Sequence, residues 1–136
     1  MMNKNRAEQY KKTQINTSSP GKLLLMLYQG AIKFSKLAIK NIEADEIEAS
    51  HKNIIKVQNI VLELKSTLDK EKGGQLADQL EKLYDFIYQE LLQANLKKDI
   101  EHLNNIIPLL EELYTSYKEI VLKQKSPELK RVNLGG

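Results

Sequence analysis

The stretch DEIEASHKNIIKVQNIVLELKSTL, residues 45–68, decides the fold. Ile47, Ile54, Val57, Val61, Leu64 and Leu68 recur in alternating threes and fours, with Ser50 filling the one weak slot. That spacing belongs to a helix that buries one face in a bundle. Asp45 stands where an N-cap is needed and Glu48 where a capping box returns its bond, and Asp45, Glu46 and Glu48 face the positive end of the helix dipole.

Working outward, Ser19-Pro20 predicts the start of an earlier helix, because serine can cap and proline, lacking an N–H, fits the first helical position. It is expected to run to about Asn41, with Leu23, Leu27 and Phe34 facing the core and Gly30 allowing close helix approach. Downstream, Gly73-Gly74 predicts the stop of the second helix. The third carries Leu76, Leu80, Leu83, Ile87, Leu91 and Ala94 at bundle spacing. Asp99 is expected to cap a fourth, with Ile100, Leu103, Ile107, Leu110, Tyr114, Tyr117 and Val121 as its seam, a bend at Pro108 and an end before Ser126-Pro127.

Connections of a few residues make sequential helices antiparallel. The expected fold class is therefore all-α, an antiparallel up-down four-helix bundle over residues 17–125. The 136 residues suit one domain with one core. Residues 1–16 and 126–136 lack a sustained apolar period and read as flexible N- and C-terminal tails. The first tail nonetheless holds Tyr10 and Ile15, apolar residues that a solubilising arm does not need.

Composition narrows the function. The chain has no Cys and no Trp, which excludes a disulfide frame and thiol-ligated metal. The longest uncharged apolar run, Leu23 to Leu27, is far short of the ~20 residues of a membrane span. The start, Met1 to Tyr10, is too polar for a signal peptide, and the expectation is a cytoplasmic protein without membrane insertion. Basic residues gather only at the ends, in Lys4, Arg6, Lys11 and Lys12 and in Lys123, Lys125, Lys130 and Arg131. With a net charge of +3, that pattern is not the basic stripe of a nucleic-acid-binding face.

Catalytic chemistry is sparse. His51 and His102 are the two histidines, and no phosphate-cradling glycine loop or metal-ligand spacing accompanies them. No catalytic residue, cofactor or metal is expected. A histidine phosphotransfer module is the enzymatic alternative, with His51 as its phosphorylated residue. The sequence His51-Lys52-Asn53-Ile54-Ile55 has no following glycine, and a solvent-facing helix histidine is the preferred reading.

The helices carry more apolar residues than their seams use. Ile55 and Leu62, with Asn59 between them, form an extra stripe on the second helix, and Tyr84, Tyr88 and Leu92 form one on the third, ending near Asn95. One reading is a wide buried face; the other is a groove for a partner helix, in which tyrosines give contact area and asparagines satisfy a guest's backbone. A self-associating structural bundle would use the same surplus between copies.

The segment Tyr10-x-x-x-Gln14-Ile15-x-Thr17-Ser18-Ser19-Pro20-Gly21-x-Leu23-Leu24-x-Met26-Leu27-Tyr28-x-Gly30 resembles the opening motif of the FliS family of flagellin export chaperones. Lys56 to Leu64 followed by Thr67-Leu68, and Leu83 to Ile87 with Ala94-Asn95, are similar to its second and third blocks. Gln29, where relatives tend to have an acid, and Tyr117, where many have tryptophan, depart from the pattern. The resemblance implies a cytoplasmic chaperone, a monomer or weak homodimer. It would hold the C-terminal segment of flagellin, prevent premature polymerisation and aid delivery to the flagellar type III export gate. On this reading Ile55, Asn59, Leu62, Tyr84, Tyr88, Leu92 and Asn95 contact the guest, and Tyr10 and Ile15 belong to an N-terminal lid over the groove.

Overall fold

The computed structural model describes the backbone of residues 19–135 and the side chains of residues 19–123. The proposed lid residues Tyr10 and Ile15 lie outside the described residues. Four helices follow one another: α1 (Pro20–Glu43), α2 (Ile47–Ser66), α3 (Lys70–Lys97) and α4 (Ile100–Gly135). Each packs on two neighbours, α1 on α2 and α4, and α3 on α2 and α4, which is the square of an up-down antiparallel bundle. No described helix is long and apolar enough to cross a membrane.

Local chemistry sets the helix ends, not always as the sequence pattern suggests. Ser19 holds the N-cap position with extended backbone and Pro20 starts α1, but the serine hydroxyl makes no capping bond. Its carbonyl accepts from the Leu23 N–H at 3.2 Å. Asp45 is not an N-cap. It sits at φ 60°, where the chain reverses between α1 and α2, and Glu46 takes the cap position without a side-chain bond. A reversal this tight needs a positive φ, which aspartate tolerates better than most residues.

The end of α2 also differs from expectation. It stops at Ser66, where the hydroxyls of Ser66 and Thr67 donate to the carbonyls of Glu63 and Leu64 at 2.7 and 2.6 Å. Asp69 then caps α3, accepting from the N–H groups of Glu71 and Lys72 at 3.1 Å. Gly73-Gly74 thus does not end α2: Gly74, at φ 53° and ψ −126°, breaks the helical backbone after the first turn of α3. Asp99 caps α4 as expected, accepting from the Glu101 N–H at 2.9 Å. The predicted end before Ser126-Pro127 is overturned, since α4 continues to Gly135. A helical proline removes one backbone bond and leaves the rest of the ladder. Pro108 is passed in the same way, on the exposed side, where water can serve the freed carbonyl.

The core confirms the α2 seam at Ser50, Ile54, Val57, Val61 and Leu64, while Ile47 is exposed. On α3 the buried line is Ala77, Leu80, Tyr84, Ile87, Leu91 and Ala94, so Ala77 and Tyr84 take the places expected of Leu76 and Leu83. On α4, Leu103, Ile107 and Leu110 are joined by Ile106. The interior of α1 is Tyr28, Ala31, Ser35 and Ala38; Leu27 and Phe34 are half-buried and Leu23 is exposed. Small residues there let α2 and α4 come close, as do two glycines. A Cβ on Gly21 would lie 2.6 Å from Val121 Cγ2, and one on Gly30 3.2 Å from Ile60 Cδ1.

The Ser35 hydroxyl is buried without a partner. An unpaired buried hydroxyl is a liability, so Ser35→Ala is expected to raise the unfolding free energy by about 1 kcal/mol in urea denaturation.

Candidate functional site

Residues 51, 55, 58 and 62 of α2 lie three or four apart and turn one flank of that helix toward α3. Opposite them, antiparallel, run Tyr88, Leu92, Asn95 and Leu96. Between the two helices an open groove of about 490 Å³ is lined by Ile55, Leu92 and Leu96 as apolar wall and by Gln58, His51 and Asn95 as polar wall. Leu62 and Leu92 are exposed, and Leu96 is 78% exposed. Ile55 and Tyr88 are half-buried and Asn59 is exposed. Beyond Leu62 and Tyr88, an ion pair of 2.8 Å between Lys65 and Asp85 joins the same two helices.

The other end is polar and directional. The Lys98 ammonium donates to Asn95 Oδ1 at 2.5 Å, and Asn95 Nδ2 lies 2.9 Å from His51 Nδ1. Ammonium can only donate, so Oδ1 is the acceptor and the amide nitrogen gives its proton to an unprotonated Nδ1. Burial holds the Lys98 pKa below the usual lysine range. His51 is exposed, as expected, and its role here is to anchor Asn95 across the groove.

Of the residues singled out from sequence, Ile55, Leu92 and Asn95 line the groove, whereas Leu62 and Asn59 are exposed and Tyr88 half-buried outside its lining. Tyr84 does not line it. It is 1% exposed, in the core line of α3, with its hydroxyl paired to that of Tyr28 on α1. A stripe counted from Leu83 puts Tyr84 outside; the observed line keeps Leu80, Ile87, Leu91 and Ala94 of the expected one and takes Tyr84 in place of Leu83, where its hydroxyl finds a buried partner in Tyr28. The Tyr28 ring stacks on Tyr117 of α4, centroids 5.5 Å apart. Sequence reasoning also missed Leu96 and Gln58. Leu96 continues the four-residue step from Leu92, a signal hidden by treating Asn95 as the end of the stripe.

The buried tyrosines carry a pH dependence. Burial pushes the Tyr84 pKa from 10.0 up to about 12, and burial together with the Tyr84 hydrogen bond pushes Tyr28 up further. Between these values the unfolded chain has lost protons that the folded chain keeps, so stability falls as pH rises. It is fully present below pH 10 and lost through pH 12. Alkaline unfolding monitored by circular dichroism should steepen over that window and flatten in a Tyr28→Phe/Tyr84→Phe variant.

Comparison with known proteins agrees with this architecture. Residues 2–125 match the family profile described as "Flagellar protein FliS". The flagellar secretion chaperone FliS of Bacillus subtilis is 35% identical over 116 residues, 85% of this chain and 86% of the relative. That of Campylobacter jejuni is 35% identical over 114 residues, covering 82% and 87%, and that of Salmonella typhimurium 34% over 115, covering 84% and 85%. A solved structure described as a flagellar chaperone from bacteria superposes with a TM-score of 0.73 at 21% identity, covering 89% of this chain and 98% of its own, and so shares the fold. Matched by sequence over nearly its whole length, the chain belongs to the FliS family.

Proposed function

We propose that this chain is a cytoplasmic flagellar export chaperone, a binding protein and not an enzyme, and that it holds the C-terminal segment of flagellin along the α2–α3 groove. The observation that carries the reading is an open apolar groove, with Leu62, Leu92 and Leu96 exposed beside it, on a chain of the FliS family. A bundle of this size has no reason within its own core to expose a row of leucines along one helix pair.

The physical account is coupled folding and binding. A disordered amphipathic guest lays apolar side chains into a preformed groove and forms helix as it does so. Ordering the guest offsets part of the contact energy, which keeps binding reversible. Covering the guest's apolar stripe withholds it from self-association, so polymerisation before export is prevented, and a reversible complex can surrender it at the export gate. Asn95 and Gln58 offer hydrogen bonds to guest backbone at the polar end of the groove. A phosphotransfer role for His51 would leave these leucines unused.

Titration of the full chain with a peptide of roughly forty C-terminal flagellin residues, long enough for several helical turns along the groove, tests the reading. One-to-one binding is expected, with a negative heat-capacity change from apolar burial. Absence of binding at tens of micromolar would remove flagellin as the guest.

A further inference from the structure

Charge is divided unevenly across the bundle. α1 carries four lysines against one glutamate and α2 three lysines against two glutamates. α3 has four lysines against five acids, and residues 100–123 of α4 two lysines against four. The basic half has a centre where α1 meets α2, on the flank of α2 away from the groove. There the half-buried Phe34 ring has the Lys56 ammonium 4.8 Å and the Lys33 ammonium 5.7 Å from its centroid. Neither lysine makes an ion pair among the described residues. Leu23, Met26, Gly30, Phe34 and Leu37 follow at helical spacing along the same stripe, with Leu23 and Met26 exposed and Ile60 of α2 against Gly30.

We propose that this α1–α2 face is a second docking surface, and that its occupant is an acidic amphipathic helix of another protein. Each cation is attracted to the ring, but the two ammonium groups repel each other. A carboxylate placed between them satisfies both, while the apolar stripe receives the apolar side of the same helix. The chain's own ends have the wrong charge: residues 1–18 hold Lys4, Arg6, Lys11 and Lys12 against Glu8, and residues 124–136 hold Lys125, Lys130 and Arg131 against Glu128. A second copy is a weaker complement than a free acidic helix, since four of the nine acids of its acidic half, Glu81, Asp85, Glu90 and Glu111, are already engaged by Lys70, Lys65, His102 and Lys36. The surface is independent of the flagellin groove, and its test does not depend on that reading.

The test uses the full chain labelled with nitrogen-15 and two synthetic amphipathic peptides, one with leucine and phenylalanine on one face and glutamate on the other, the second with lysine for glutamate. The acidic peptide is expected to shift amide resonances centred on Gly30, Phe34, Lys56 and Ile60. Lys33→Glu/Lys56→Glu should weaken it by at least about tenfold, whereas Lys72→Glu/Lys82→Glu, the same charge change on exposed α3 positions, should weaken it less than about twofold. Equal losses in the two variants, equal binding of the basic peptide, or shifts centred on the α2–α3 groove would overturn the proposal. So would sedimentation showing a dimer of the free chain that Lys33→Glu/Lys56→Glu dissolves, because the occupant would then be a second copy.

Discussion

Tyr84→Ala is expected to lower the unfolding free energy by about 3–5 kcal/mol, the range for removing a buried aromatic ring. The ring is fully buried with its hydroxyl on Tyr28, and its loss leaves a cavity that the surrounding core closes only in part. Two milder variants separate shape from hydrogen bonding. Tyr84→Phe keeps the ring but strands the Tyr28 hydroxyl, an unpaired buried group that costs about 1–3 kcal/mol. Tyr28→Phe/Tyr84→Phe removes both hydroxyls and should recover most of that loss, because two apolar rings leave nothing unsatisfied. Urea titrations of the three variants check the order. A double variant no better than the single one would mean that the Tyr28 hydroxyl is not left unsatisfied when Tyr84 loses its own. Any weakening of flagellin-peptide binding by Tyr84→Ala should then scale with the unfolded fraction, since the ring does not reach the groove.

Leu62→Asp and Leu92→Asp are expected to do the opposite. Both leucines are exposed, so the free chain should lose under about 0.5 kcal/mol of stability, as surface substitutions do. Binding of the flagellin peptide should weaken by about tenfold to a hundredfold each, because a carboxylate in an apolar contact must be desolvated without a partner. Isothermal titration beside a melting curve reads both quantities. Full affinity in the Leu62→Asp/Leu92→Asp variant would place the guest elsewhere on the bundle.

How far the sequence reached depends on the kind of residue involved. The α2 seam was legible because Ile54, Val57, Val61 and Leu64 form an unbroken run, whereas the neighbouring stripe of Ile55 and Leu62 is interrupted by Asn59. On α3 two registers competed, Leu76-Leu83 and Ala77-Tyr84, and side-chain size alone favoured the wrong one. The choice was settled by Tyr28 of α1, whose buried hydroxyl pairs with that of Tyr84. The groove was therefore half visible: Ile55 and Leu92 of its lining follow from counting, but the position of Tyr84 depends on a neighbour that counting within one helix never sees. Helix ends failed for a related reason. Gly73-Gly74 is a louder signal than Ser66-Thr67 or Asp69, yet hydroxyl and carboxylate bonds to the backbone terminate one helix and begin the next before the glycines are reached.

The tyrosine cluster has an optical consequence. The chain contains six tyrosines and no tryptophan, so its ultraviolet absorption and emission bands belong to tyrosine. Tyr28 lies in the α1–α2 hairpin, while Tyr84 and Tyr117 lie in the α3–α4 hairpin. Near-ultraviolet dichroism of these rings therefore reports the docking of one hairpin on the other, whereas the far-ultraviolet band reports helix alone. The molecule thus carries its own label for distinguishing a set of formed helices from an assembled bundle, without any introduced fluorophore.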